Sequence, residues 1–159
     1  MYTYEYPRPA LTVDAIVFVN ERSGVHATTE NPDGIIDEIL VLLIRRGKDP
    51  FKNKWALPGG FVELDELLEV ACKRELFEET GIRIEKMSQF KTYDAIDRDP
   101  RHRTISVVFT AEIQNIVDAE GGDDAIQADW FSLSNLPYLA FDHTQILDDF
   151  STWLKKEIK

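Results

Sequence analysis

Leu11 to Val19 forms an apolar, β-branched run, Asn20 to Asp37 is polar, and Ile39 to Ile44 is apolar again. This pattern predicts two strands joined by a long excursion, with a turn at Asn31-Pro32-Asp33-Gly34 inside it. Trp55 to Leu57 and Phe61-Val62 predict short strands on either side of Pro58-Gly59-Gly60, a sharp turn whose paired glycines let the backbone approach another group closely. From Asp65 to Thr80 there is no Gly or Pro, and Leu, Glu, Ala and Lys dominate. A helix is expected there, started by Asp65 as N-cap and stopped by Gly81 in a left-handed conformation. Strand-like segments follow at Ile82 to Tyr93, Ile105 to Ile113 and Ala128 to Leu133, with a loop from Asp97 to Arg103. Leu147, Phe150, Trp153 and Leu154 recur at helical spacing and predict a C-terminal helix over Phe141 to Ile158. Mixed strands with a helix on either face predict an α/β fold, an α/β/α sandwich with a mixed central sheet.

Chemistry concentrates on the first helix. At about 100° per residue, Glu75 and Glu79 point nearly the same way and Glu78 lies about 60° to one side. Three carboxylates within one turn repel one another and raise each other's pKa unless cations occupy the cluster. Oxygen-only ligands suit Mg²⁺ or Mn²⁺. Arg74, four residues before Glu78, is placed to pair with it and fix its rotamer. A solvated acidic face is the competing reading. Against it, Leu68, Ala71 and Cys72 share the direction of Glu75 and Glu79, while Leu67, Val70 and Phe77 form a second apolar stripe opposite. A helix apolar on two sides should be mostly buried, with its carboxylates beside a core.

Composition narrows the class. A chain of 159 residues with 43% hydrophobic content can bury one sizeable core, so residues 1–159 are expected to form a single domain. No apolar run approaches the roughly 20 residues of a membrane span, and Met1-Tyr2-Thr3-Tyr4 begins neither a signal nor a transit peptide. A cytoplasmic location without membrane partners is expected. The lone Cys72 has no partner for a disulfide or a zinc site and reads as a small buried hydrophobe. A net charge of -11 argues against nucleic acid as a partner, so an anionic ligand must be drawn by local metal and Arg charge. The acidic excess outside the helix, at Glu30 to Glu38 and Asp118 to Asp129, reads as solvated loops.

Gly60, Glu66 and Arg74-Glu75-Leu76-x-Glu78-Glu79-x-Gly81-Ile82 together match every position of G-x5-E-x7-R-E-U-x-E-E-x-G-U, with U aliphatic. The chain therefore resembles the Nudix hydrolases, which cleave nucleoside diphosphates linked to another moiety and use Mg²⁺ or a similar divalent metal. The resemblance implies the same α/β/α fold, catalytic roles for Glu66, Arg74, Glu75, Glu78 and Glu79, and metal ligation by the Gly60 carbonyl with Glu75, Glu78 and Glu79. Glu66 is implied to support the helix and contact Arg74. Asp65 stands where many members have Gly, and Leu67 where many have a capping Ser or Thr.

The likeness extends along nearly the whole chain. Tyr6-Pro7-Arg8-Pro9-Ala10-Leu11-Thr12-Val13-Asp14, Leu43-Ile44-Arg45-Arg46-Gly47, Trp55-Ala56-Leu57-Pro58, Asp97-Arg98-Asp99-Pro100-Arg101 and Phe141-Asp142-His143 are similar to the ADP-ribose pyrophosphatase-like branch and related regulators of NAD metabolism. Members of that branch often carry a Pro past the box; here Pro100 lies 18 positions after Ile82. An SQPWPFP-type motif of NADH hydrolases is absent. The resemblance implies hydrolysis of ADP-ribose to AMP and ribose 5-phosphate. The alternatives are another nucleotide (a nucleoside triphosphate, a dinucleoside polyphosphate or a nucleotide sugar), or a ligand-sensing domain of a transcription regulator. Tyr2, Tyr4 and Tyr6 would suit a homodimer contact.

The substrate contacts are read residue by residue. Arg45 and Arg46 alternate sides at a strand end, so one of them faces the phosphates while a solvated strand end is the bland reading. Arg98, Arg101 and Arg103 flank Pro100 in a loop beside the site, and Arg binds phosphate bidentately; ordinary surface charge is their bland reading. Phe51, Trp55 and Tyr93 are candidates to stack on adenine, although an aromatic in a short strand is more often core. His143 is expected to cap or orient the last helix. The general base lies among Glu75 and Glu78 of the box or Asp123 and Asp124 of a later loop. In related chains a Glu often stands where this one has Gln127, which can serve neither as base nor as strong metal ligand.

Overall fold

The computed structural model describes residues 3–23 and 36–157, which leaves the expected Asn31-Pro32-Asp33-Gly34 turn, Tyr2 and Ile158 outside the described residues. Strands and helices follow in the order β1 (Ala10–Ser23), β2 (Ile36–Arg46), β3 (Trp55–Ala56), β4 (Gly59–Phe61), α1 (Leu68–Thr80), β5 (Ser88–Tyr93), β6 (Thr104–Ile113), β7 (Ala125–Ser132) and α2 (His143–Glu157). All seven strands join one mixed sheet. β1 is its axis: one edge runs parallel to β6 from Ala10 to Val19, and the other is shared antiparallel by β4 at Thr12 to Asp14 and by β2 from Phe18 onward. β2 then carries β7 and β3, and β5 closes the far edge on β6.

Alternation along β1 builds the two layers, because successive side chains leave opposite faces of a sheet. Val13, Ala15 and Val17 pack with Leu42, Val107 and Phe109 against Ala71, Cys72 and Leu76 of α1. Ile16 and Phe18 face the other way, with Val41, Leu43 and Val108, onto Ile146, Leu147 and Phe150 of α2. The predicted α/β/α sandwich is thus the observed architecture. Asp14 has the parity of Ile16 and Phe18 and is the charged residue, itself buried, in an otherwise apolar stretch from Val13 to Val19.

Several bounds differ from expectation. α1 starts at Leu68 instead of Asp65, and its N-cap Leu67 makes no side-chain capping bond. The Glu66 carboxylate explains this: it accepts the Glu63 N–H at 2.8 Å and is gripped by Arg74, so residues 63–66 form a turn and the helix begins after it. Gly81 ends α1 at φ 74°, its N–H donating to the Phe77 carbonyl at 2.8 Å, as a left-handed stop should. The second apolar stripe is not buried, with Leu67 76% and Val70 50% exposed, so α1 has one core face only. Ile82 to Met87 link α1 to β5 without being strand, although Ile82 and Met87 sit in the core. Part of the acidic segment read as solvated loop is strand, since β7 includes Asp129 and pairs with β2.

Candidate active site

One face of α1, β4, parts of β1 and β2, and the loops before β6, β7 and α2 enclose a cavity of about 350 Å³. Its walls include Glu75, Glu78 and Glu79 of α1, Gly59 to Val62, Arg46 of β2, Asp14 of β1, the Arg98 to Arg101 loop, Asp123 and Asp124, and Phe141 and His143. The carboxylates are not equally exposed. Glu79 is 6% exposed and accepts the Gly59 N–H at 3.0 Å, Glu75 is largely buried, and the Glu78 side chain is 42% exposed. Burial pushes the Glu79 carboxyl up to about 8, helped by the charges of Glu75 and Asp14, and burial also raises Glu75 against the pull of Arg74. Both shifts come first from desolvation, so ionising either carboxyl in the cavity is unfavourable without a compensating cation.

Glycine at two positions makes this proximity geometrically feasible. A Cβ on Gly60 would lie 2.4 Å from the Glu75 carboxyl carbon, and one on Gly59 would lie 2.1 Å from the Val13 carbonyl oxygen. A side chain at Gly59 would meet the β1 backbone, and one at Gly60 would displace the Glu75 carboxylate, so the turn is drawn against both α1 and β1.

Arg74 is the hinge pin of the arrangement. Its Nη2 and Nε donate to Glu66 at 2.6 and 3.0 Å, its Nη1 to Glu75 at 2.8 Å and Glu78 at 3.3 Å, and Nη2 also reaches the Phe61 carbonyl at 3.1 Å. The expected Arg74 to Glu78 pair is therefore the longest of its carboxylate contacts, and the bidentate partner is Glu66. Glu66 is outside the cavity and acts on it through Arg74. The hydrogen bonds from the Arg74 guanidinium and the Glu63 N–H hold Glu66 below the usual carboxylate range despite desolvation, and the Glu66 and Glu75 carboxylates hold the Arg74 guanidinium above its ordinary value.

Opposite α1, the loop before β7 docks on the helix end: the Gly122 N–H donates to the Glu79 carbonyl at 3.1 Å and the Glu120 N–H to that of Thr80 at 3.2 Å. This carries Asp123 and Asp124 to the cavity. Asp124 pairs with Lys48, whereas among the described residues no ion pair occupies Asp123. Gln127 is exposed on β7, paired in register with Arg45.

The positive wall is Arg46 and Arg101. Arg46 donates through Nε to the Pro50 carbonyl at 2.8 Å, lies 4.9 Å over the Phe141 ring, and makes no Nη hydrogen bond among the described residues. Its pKa is lowered, first by burial and then by the neighbouring Arg101, as expected where two cations share a site that attracts an anion. Arg101 is clamped by Asp99 at 2.7 and 3.0 Å and lies 5.3 Å over Phe61. Arg45, one residue away on the strand, points outward and bonds the Asn53 carbonyl at 3.2 Å.

Other sequence candidates lie elsewhere. Arg98 lines the cavity wall, yet it is buried and spends its guanidinium on Asp142, at 2.9 and 2.7 Å. Arg103 turns to the carbonyls of Asp94 and Ala95. Trp55 packs edge-on against Phe131 at 4.6 Å in the α2-side core, Tyr93 is buried with its hydroxyl on Asp149 at 2.9 Å, and Phe51 lies behind Phe141 at 4.8 Å. The rings that do reach the cavity are Phe61 and Phe141, which the sequence reading did not select. It also missed Asp14 and Asp99, and it assigned His143 to capping or orienting the last helix. Asp14 carried a signal: a carboxylate inside an apolar strand is costly unless it has a task.

Among the described residues, no three acidic, histidine or cysteine side chains are gathered into a finished ion cage. Glu75 leans to Arg74 and Glu79 to Gly59 N–H. The donor set nevertheless fits a hard divalent cation: it is all oxygen, it is undercompensated, and Mg²⁺ combines few carboxylates with water and ligand phosphates.

A family model for the NUDIX domain matches residues 20–154. An ADP-ribose pyrophosphatase of Methanocaldococcus jannaschii is 47% identical over 122 residues, covering 76% of this chain and 72% of that protein. The ADPR responsive transcriptional repressor NtrR of Acinetobacter baylyi is 31% identical over 147 residues, 90% of this chain but 53% of the repressor, so the chain spans about half that protein's length. Among solved structures, the NUDIX domain of Shewanella oneidensis NrtR complexed with ADP ribose has a TM-score of 0.76 at 28% identity, covering 94% of this chain and 90% of that one.

Proposed function

The chain belongs to the NUDIX domain family, and from that premise we propose that it hydrolyses ADP-ribose to AMP and ribose 5-phosphate with Mg²⁺. Hydrolases of this family depend on a divalent metal. The observation that carries the proposal is the cavity itself, with the carboxylates of α1 on one wall and the Arg46 and Arg101 guanidiniums on the other. A diphosphate is the ligand that answers both: its oxygens would suit a cation held by α1 and would accept charge-assisted hydrogen bonds from arginine.

Glu75, Glu78, Glu79 and the Gly60 carbonyl would hold the cation. When bound, it supplies charge neutralisation for the diphosphate and acidifies water at the reacting phosphorus. Arg74 keeps Glu75 oriented and takes its own orientation from Glu66. Arg46 binds a phosphate oxygen through its open Nη groups, and Arg101 completes that wall. Phe61, 42% exposed at the rim, offers a face for the base. Glu78, the most open carboxylate of the helix, takes the proton of the attacking water, with Asp123 facing the same space. The water oxygen bonds one phosphorus, the bridging P–O bond breaks, and the other phosphate leaves with the bridging oxygen.

Similarity to the ADPR responsive repressor favours a second reading, in which the cavity senses ADP-ribose without turning it over. A full set of helix carboxylates argues for hydrolysis. A panel of ADP-ribose, NADH, a dinucleoside polyphosphate and a nucleoside triphosphate at matched Mg²⁺, with products identified by mass, tests the proposal. The highest kcat/KM is expected for ADP-ribose. Preference for a triphosphate would overturn the substrate, and tight binding without products would favour the sensor.

A further inference from the structure

His143 lies at the first turn of α2, 3% exposed, and touches the hydrolytic segment from the face opposite α1. The Leu57 N–H donates to its Nδ1 at 2.9 Å. A ring nitrogen that accepts a hydrogen bond carries no proton, so in the neutral ring the proton is on Nε2. Nε2 lies 3.5 Å from Oδ1 of Asp14, whose other oxygen accepts the Ser106 hydroxyl. The charged groups facing the ring are Asp14 from β1, Asp142 beside it, Arg98 from its loop and Arg46 from β2; burial, aided by the two arginines, lowers the imidazole pKa against the opposing pull of the two carboxylates.

Leu57 leads directly into the segment that meets the carboxylates. The Pro58 carbonyl accepts the Ala15 N–H at 2.8 Å, the Gly59 N–H donates to Glu79 at 3.0 Å, and Gly60 presses on Glu75. Pro58 has no N–H, and the two glycines contribute no side chains to anchor them. Among the described residues, α2 reaches this segment by a side-chain hydrogen bond at one point, the His143 ring.

We propose that His143 is a positioning residue of the hydrolytic site: Nδ1 fixes Leu57, and with it the placement of Gly59 and Gly60 against Glu79 and Glu75, while Nε2–H steadies Asp14 at the cavity wall. The proposal rests on the hydrolase reading above for its kinetic consequences, and on geometry alone for the tautomer.

Three substitutions separate the two nitrogens. His143→Asn places an amide oxygen near Nδ1, where it can accept from Leu57; His143→Gln places an amide nitrogen near Nε2; His143→Leu keeps neither. With ADP-ribose, His143→Leu and His143→Gln should lose roughly 10 to 100-fold in kcat with little change in KM, the usual scale for a misplaced ligand support, and His143→Asn should recover most of the loss. Hydrogen exchange at the Leu57 amide should be slow in wild type and in the Asn variant and fast in the other two. Wild-type kcat in a folded Leu variant, or equal impairment of the Asn and Gln variants, would overturn the role. If the Leu variant does not fold, the contrast between Asn and Gln decides. Imidazole ¹⁵N signals at neutral pH must show the proton on Nε2, and a proton on Nδ1 overturns the proposal whatever the substrate. Failure of wild type to cleave ADP-ribose would instead count against the substrate reading, and the tautomer and exchange measurements would still decide the positioning role.

Discussion

At the scale of single residues, Arg74 holds Glu66, Glu75 and Glu78, and the Gly59 N–H holds Glu79. Because Arg74 grips Glu66 bidentately, Arg74→Ala should lower kcat about 10 to 100-fold and Glu66→Gln should do the same, with the double variant little worse than either. Additivity in that cycle would remove the pairing from the account. A second outcome concerns acid stability. Burial holds His143 below its ordinary 6.5, so as pH falls through 6.5 the unfolded chain takes up a proton that the folded chain resists, and stability drops. Urea midpoints against pH should therefore fall more steeply below about 6.5 for wild type than for His143→Asn, which has no such proton to take. Much at this scale was legible beforehand. Glu75, Glu78 and Glu79 lie at fixed offsets on one helix, so helical geometry predicts their convergence, whereas Gly60 lies on β4 and entered only through the family resemblance. His143 was not legible in that way, since its partner is a backbone N–H 86 positions distant, which has no signature in side-chain chemistry.

At the scale of elements, the decisive contacts are between α1 and the two backbone segments that close on it. Gly122 packs so tightly on the end of α1 that a Cβ there would lie 2.5 Å from the Glu78 carbonyl oxygen. Gly122→Ala should cost about 1 to 3 kcal/mol in denaturant unfolding and should reduce turnover by moving Asp123 away from the cavity. An unchanged midpoint would show that the loop does not depend on that contact. The strand pattern came through the sequence well where burial is two-sided, as in β1, β2 and β6. It failed where tertiary pairing overrides composition: β7 begins at Ala125 because it zips onto β2, although its first residues are mixed in character. The start of α1 shifted for a local reason, the capture of Glu66 by Arg74 and the Glu63 N–H, which outcompetes the capping that Asp65 would offer. Aromatic residues misled in the expected direction, with Trp55 and Tyr93 in the core and the cavity rings supplied by Phe61 and Phe141.

At the scale of the whole molecule, the net charge of -11 sets a hostile field for a polyanion, and the proposed function requires Arg46, Arg101 and a cation held at α1 to offset it locally. Duplex DNA should accordingly show no sequence-selective binding at physiological salt. Nanomolar selective affinity in a titration would return the regulator reading to first place. No helix among the described residues is long and apolar enough to cross a membrane. The central claim is that cleavage depends on a divalent cation held by the buried carboxylates of α1. Its most direct test is to incubate ADP-ribose with wild type and with Glu79→Gln, each with Mg²⁺ and with chelator, and to follow AMP and ribose 5-phosphate by mass. The account predicts both products from wild type with Mg²⁺ alone, and almost none from folded Glu79→Gln under either condition. Wild-type turnover in chelator, or an undiminished rate in the variant, would contradict it.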